Sequence, residues 1–221
     1  QYQLQDNIGN IISPYQNSNI FSNVVPGDYV VVVRDSRECT DALDSPINVP
    51  APVNPIASIS SLSDLCYDGS NAATIIVDAS SGVSPYQYSL NGGIFQNSNT
   101  FSGLVPGSYV ITVRDAYNCS VTLPSVTIAP QLTAITTITN NLNCSVASPN
   151  ATINVNITGG SSPFSYQVSF NGGPLSPSTG VIGNNFNYSA ASSGSYQFTI
   201  TDLTGCTFVT NTVIINPLPV S

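Results

Sequence analysis

The 221-residue chain has no histidine, tryptophan or methionine, and its three Lys/Arg positions are all arginine: Arg34, Arg37 and Arg114. Each absence removes a class of chemistry. Without histidine the common nucleophilic triads are unavailable, and without lysine so are Schiff bases and Ser-Lys dyads. A carboxylate pair for glycoside hydrolysis would have to come from 11 scattered acids, so an enzyme is not expected. Charged residues make up 6% of the chain and the net charge is −8, against roughly 25% charged residues in an average globular domain. With no basic patch to displace counterions, nucleic acid is not an expected partner. Anionic membrane surfaces are disfavoured on the same ground. No apolar run approaches the roughly 20 residues of a spanning helix, so direct membrane insertion is not expected. There is no initiating methionine and no cleavage-site pattern, and the chain reads as a segment of something longer.

What the chain does have is repetition. PGSYVITVRDAYNC at Pro106 to Cys119 recurs as PGDYVVVVRDSREC at Pro26 to Cys39 and more loosely as SGSYQFTITDLTGC at Ser193 to Cys206. The spacing is 80 residues from Cys39 to Cys119 and 87 from Cys119 to Cys206, too long for a solenoid coil and right for a small domain. Within each copy the apolar residues alternate: Tyr109, Ile111 and Val113 fall on one face, Val110, Thr112 and Arg114 on the other. That period of two predicts a core strand with one buried face. Gly before the strand and Asp after it supply turn chemistry.

Around this strand the second copy predicts further strands near 57–61, 74–79, 86–90, 100–101 and 121–128, with Asn91-Gly92 as a hairpin signal that returns at Asn171-Gly172. Short strands, frequent turns and no helical period predict an all-β chain of tandem immunoglobulin-like antiparallel β-sandwich repeats. The expected units are residues 1–51, the C-terminal part of a truncated repeat, then complete repeats at 52–131 and 132–221. QNSNIF at Gln16 to Phe21 matches QNSNTF at Gln96 to Phe101, which places the first unit in register with the second. Proline-bearing boundaries, VPAPVNPI at Val49 to Ile56 and Ala129-Pro130, predict short stiff linkers and an extended stalk.

The cysteines follow the repeat. Cys66 and Cys119 lie in the second unit, Cys144 and Cys206 in the third, and Cys39 in the first without a companion. Pairing within units, Cys66 with Cys119 and Cys144 with Cys206, is the expectation, leaving Cys39 unpaired by truncation; reduced, buried thiols are the alternative. Disulfides imply an oxidising, extracytoplasmic location.

The order of a cysteine, then SPYQYSLNGG, FSGLVPGSYVITVRDAYNC and VTIAP resembles the SprB repeat, the module arrayed in gliding-motility adhesins of Bacteroidetes-type bacteria. The likeness runs through the whole chain in register, carried by Ser84-Pro85, Ser162-Pro163 and the GxYxxxxxDxxxC core. The third unit departs from it with Ser193-Gly194 in place of Pro-Gly and with extra residues around 176–187. The resemblance implies type IX secretion, an extracellular place at the cell surface, and a long filament that adheres and is moved by an envelope motor. The partners it implies are neighbouring repeats of the same chain, accessory envelope or stalk-binding proteins, and a polysaccharide or abiotic surface.

Candidate sites are sparse. Asp35, Asp115 and Asp202 are aligned and are weak candidates for calcium, the one cofactor considered; the competing reading is that each caps its turn through its own side chain. Tyr29, Tyr109 and Tyr196 could stack sugars if exposed, but they share a face with Ile and Val and are expected in the core or at a sheet corner. Loop residues Phe95, Asn97, Asn99, Asn184 and Asn185 are the candidates for ligand contact. Beside an adhesin stalk, two other functions fit: a spacer or carbohydrate-binding module of a secreted enzyme, and a subunit of a self-assembling filament completed by strand donation.

Overall fold

A computed structural model describes residues 1–144 and 149–218. Among these residues every regular element is a strand and every pairing is antiparallel. The first unit carries β1 (Tyr2–Asp6), β2 (Ile11–Gln16), β3 (Gly27–Arg34), β4 (Thr40–Ala42) and β5 (Ile47–Val49). They form a single sheet in the order β2-β1-β3-β4, with β5 also on β3.

The second unit adds the opposing layer. Its elements are β6 (Ile56–Ile59), β7 (Ala73–Ser80), β8 (Gln87–Leu90), β9 (Thr100–Leu104), β10 (Gly107–Tyr109), β11 (Ile111–Arg114), β12 (Ser120–Thr122) and β13 (Val126–Ile128). One sheet runs β6-β7-β9, and the other is built of β12-β11-β8 with β13 on β10. The stretch expected as one strand over 121–128 is two, interrupted at Pro124, which has no N–H to give a ladder. Ile75 and Val77 from one sheet meet Ile111 and Val113 from the other, all fully buried. This is an immunoglobulin-type sandwich with an apolar core between its layers.

The third unit repeats the plan with β14 (Thr133–Asn140), β15 (Ala151–Thr158), β16 (Phe164–Phe170), β17 (Thr179–Val181), β18 (Asn185–Ala190), β19 (Gly194–Thr201), β20 (Thr207–Val209) and β21 (Val213–Ile215). Its layers are β14-β15-β18 and β17-β16-β19-β20, with β21 on β19. Its core is more aromatic: Tyr166 stacks on Phe186 at 4.1 Å, and Tyr188 meets Phe198 edge-on at 5.3 Å. Burial pushes the Tyr188 hydroxyl pKa up, with lesser contributions from Tyr196 and Tyr166.

Turn residues match their sequence signals. Asn91 and Gly92, like Asn171 and Gly172, have positive φ, as a two-residue primed turn requires. Both Ser84-Pro85 and Ser162-Pro163 are cis.

Candidate functional site

The strand directions assign two ends to each unit. In the second, β6 enters at the upper end and pairs antiparallel with β7, so the connection through Cys66 lies at the lower end. There Asp64 bridges Thr74, next to the start of β7. The continuous run of β10 and β11 climbs from Gly107, opposite Ile128 at the lower end, to Arg114, opposite Gln87 at the upper end. Cys119 lies just beyond, at the top. By the same registers Cys144 is at the lower end of the third unit, while Cys206 and, in the first unit, Cys39 are at upper ends.

Pairing within a unit is therefore excluded by geometry. Seven residue steps of about 3.3 Å put roughly 23 Å between the two ends, whereas a disulfide tolerates Cα separations of only about 7 Å. The bond that forms is Cys66–Cys206, with Cα atoms 5.5 Å apart, joining the lower end of the second unit to the upper end of the third. Cys119 and Cys144, expected to pair with these two, are free thiols, as is Cys39. Counting strands would not have shown this: only four, β7, β8, β9 and the β10–β11 run, lie between Cys66 and Cys119, and the fifth traversal that puts them at opposite ends is the irregular leg through Gln96, which bridges Tyr88. The bond closes a sequence separation of 140 residues, worth about 5 kcal/mol in the chain-entropy picture.

The junction is built by local turn chemistry. Asp202 Oδ1 accepts from the backbone N–H groups of Thr204 and Cys206 at 2.9 Å each, and the Asp202 N–H donates to the Cys206 carbonyl. Asp202 Oδ2 accepts from Ser161 N–H at 2.8 Å, tying the turn to the β15–β16 connection. Asp115 repeats the pattern with Tyr117, Cys119 and Val83. Asp35 holds Arg37 and Cys39 in the same way. These carboxylates thus hold the cysteine turns, each in its own unit, and the structure does not bring the three together. No cluster of three or more His, Cys, Asp or Glu suited to a metal ion occurs among the described residues.

Between the second and third units, Asp64, Cys66, Tyr67 and Asp68 face Gly205 and Cys206 across a cleft of about 360 Å³. The linker is pinned there: Gly160 N–H donates to Pro130 O at 2.9 Å. Gly159 has φ +70°, and a Cβ on it would lie 2.0 Å from the Gln131 carbonyl oxygen, so glycine is what lets the linker approach. A corresponding cleft of about 570 Å³ separates the first two units, with Val24 and Pro26 facing Gly82, Asp115 and Tyr117.

The tyrosines are corner residues. Tyr29, Tyr109 and Tyr196 hydroxyls donate to the carbonyls of Val25, Val105 and Ser192, each four residues upstream, at 2.7 to 2.8 Å. Most of the candidate contact loop is committed internally. The Arg114 guanidinium lies 4.0 Å over the Phe95 ring, Asn97 accepts from Gln87, and Asn99 donates to Val77 O. Asn184 and Asn185 are exposed at the start of β18 in the third unit, and form no common site with the other three.

No protein-family model matches the chain, and no curated protein matches it. Solved structures similar to it include Sidekick-1 immunoglobulin domains 1-5, at 14% identity and TM-score 0.34, covering 98% of this chain and 53% of that one. Others are Drosophila OTK extracellular domains 3-5, at 12% identity and TM-score 0.30, covering 98% and 86%, and dimeric latent PorU from Porphyromonas gingivalis, at 14% and 0.29, covering 86% and 24%. The chain thus spans about half of the Sidekick-1 fragment and a quarter of PorU. At these scores the likenesses carry no functional argument. The chain's own sheets define its class: a tandem array of immunoglobulin-like units. Its disulfide is a bond of oxidising, extracytoplasmic compartments.

Proposed function

We propose that this chain is a stalk segment of a large bacterial cell-surface adhesin of the SprB-repeat kind, serving adhesion and gliding motility and exported by type IX secretion. The observation that carries the reading is the join between units. Successive units are linked through proline-bearing segments, and a covalent bond clamps the lower end of the second to the upper end of the third. Such a join transmits force and holds spacing. The same reading assigns no catalysis to the chain and gives it neighbouring repeats, envelope proteins and a polysaccharide or abiotic surface as partners.

The test is the native polypeptide itself. Immunoblotting with antibody to this segment, under reducing and denaturing conditions, is expected to detect a species many times the segment's 23.0 kDa that is lost when intact cells are treated with protease. A species near that mass, or one that survives the protease, overturns the stalk reading. A catalytic domain on the same polypeptide would favour the spacer function instead.

A further inference from the structure

The free thiols are not scattered; they sit where the Cys66–Cys206 bond has its repeat equivalents. Cys144 holds in the third unit the lower-end place that Cys66 holds in the second. Cys119 and Cys39 hold in their units the upper-end place of Cys206, in the same five-residue turn closed by an aspartate. The Cys119 turn also faces the right way, since its Asp115 and Tyr117 line the cleft against Val24 and Pro26 at the lower end of the first unit. The loop that would carry a lower-end cysteine there, the counterpart of residues 60–72, is not part of this chain.

We propose that Cys66–Cys206 is one rung of a continuous inter-repeat disulfide ladder, in which the lower-end cysteine of every unit bonds the upper-end cysteine of the next unit. This rests on the reading of the chain as part of a longer array. Cys119 pairs with the lower-end cysteine of the unit before it, Cys39 with that of the unit before that, and Cys144 with the upper-end cysteine of the unit after the third. Each rung forms by exchange with a disulfide-bearing oxidant of the thiol–disulfide oxidoreductase class. One thiolate attacks the oxidant's disulfide, and the second displaces it from the mixed disulfide. The two thiols lose two electrons and two protons, and the oxidant leaves as a dithiol.

The ladder has a mechanical consequence. From Cys119 to Cys144 the chain passes through β12, β13, the linker and β14, all descending, in 25 residues. From Cys39 to Cys66 it passes through β4, β5, the linker and β6, again descending, in 27. Each such run crosses two units and ends on a rung, so two covalent tracks, staggered by one unit, span the array in an almost extended state. Tension then runs along the tracks, and the sheets need not unfold to bear it.

The experiment is disulfide mapping of the native polypeptide. Thiols are blocked with N-ethylmaleimide on harvest, and the protein is digested with pepsin at low pH, where exchange is suppressed. The peptides are then compared by mass spectrometry before and after reduction. Expected before reduction are the Cys66–Cys206 pair, together with Cys39, Cys119 and Cys144 each bonded to a peptide of an adjoining repeat. The ladder is overturned by maleimide on Cys119 or Cys144, by Cys66–Cys119 or Cys144–Cys206 pairs, or by bonds from Cys144 to Cys39 or Cys119 of another copy. The reduced digest separates this failure from failure of the stalk reading: if it contains no peptides of flanking repeats, it is the array that is absent.

Discussion

Gln16–Phe21 and Gln96–Phe101 are nearly the same six residues in two settings, and their local hydrogen bonds agree. Gln16 and Gln96 side-chain amides donate to the carbonyls of Ile20 and Thr100, and the N–H groups of Ile20 and Thr100 donate to Ser18 and Ser98 hydroxyls. Beyond this turn the two units diverge. In the second unit Thr100–Leu104 becomes β9, laddered to β7 with Phe101 opposite Ile75. In the first the matching Ile20–Val24 forms no strand, and Ile20 is 73% exposed. The core strand shows the same contrast, since Val113 is fully buried and its counterpart Val33 is 39% exposed. The first unit has no counterpart of β6 and β7 within this chain. Its core face is left as an open apolar groove of about 500 Å³, lined by Tyr2, Leu4, Phe21 and Val31 among others. Turn chemistry is local and survives; a strand needs its partner, because its stability lies in cross-strand and inter-sheet contacts.

The contrast can be broken by removing the partner from the second unit. Ile75→Ala opens a cavity at a fully buried site and is expected to cost about 2–5 kcal/mol. In urea unfolding followed by tyrosine fluorescence, the second unit should melt well before the third, and β9 should lose hydrogen-exchange protection, coming to behave as expected of Ile20–Val24, which forms no strand. Unchanged protection of Phe101 would mean that β9 stands without β7.

A smaller effect separates the two aspartate turns. Asp115 is buried and accepts three backbone N–H groups, so Asp115→Ala should cost about 2–3 kcal/mol by leaving donors unpaired. Asp35 is exposed and accepts two, and Asp35→Ala should cost about 1 kcal/mol or less. Equal losses in a denaturant titration would show that burial does not set the difference. Smaller again, Tyr29→Phe and Tyr109→Phe each remove one hydroxyl bond to a carbonyl four residues upstream, at about 1 kcal/mol. Amide exchange across 25–29 and 105–109 should rise alike in the two units, and a rise in only one would tie the corner to the missing sheet.

The smallest effect is in acid. Asn71 backbone and side-chain N–H groups, then Ser70 N–H, hold Asp68 below its usual 3.8. Asp6 is also held below 3.8: desolvation raises it, and the Asn10 side chain and the N–H groups of Asn10, Ile8 and Gly9 outweigh that. A depressed folded-state pKa stabilises above the unfolded value and is lost as pH falls through the folded one. The two loops should therefore loosen together below about pH 3.8, seen as parallel chemical-shift changes at Asn10 and Asn71. A loop that held firm through that range would not depend on its carboxylate.

The same division between local and distant explains what could be read from residues alone. The alternation of Tyr109, Ile111 and Val113, the Asn-Gly turns and the aspartate turns are short-range patterns, and they give the sandwich class. The cysteine partners were not legible from spacing. Cys66 and Cys119 sit in one repeat, but the irregular leg through Gln96, bridged to Tyr88 outside the regular strands, adds a fifth traversal and places them at opposite ends. The bond instead reaches across the linker to the next unit, where the Asp202 turn presents Cys206. Phe95 and Asn99 looked free for ligand because their internal partners, Arg114 and Val77, come from other strands.

The central claim, that the covalent tie runs between units, is tested most directly by inserting a specific protease site between Pro124 and Ser125, in the exposed connection of β12 and β13. The cleaved, oxidised chain is then run on a denaturing gel with and without reductant. Fragments that stay joined until reductant is added are the predicted result. Fragments that separate without it would contradict the account, because bonds confined within units cannot hold the two pieces together.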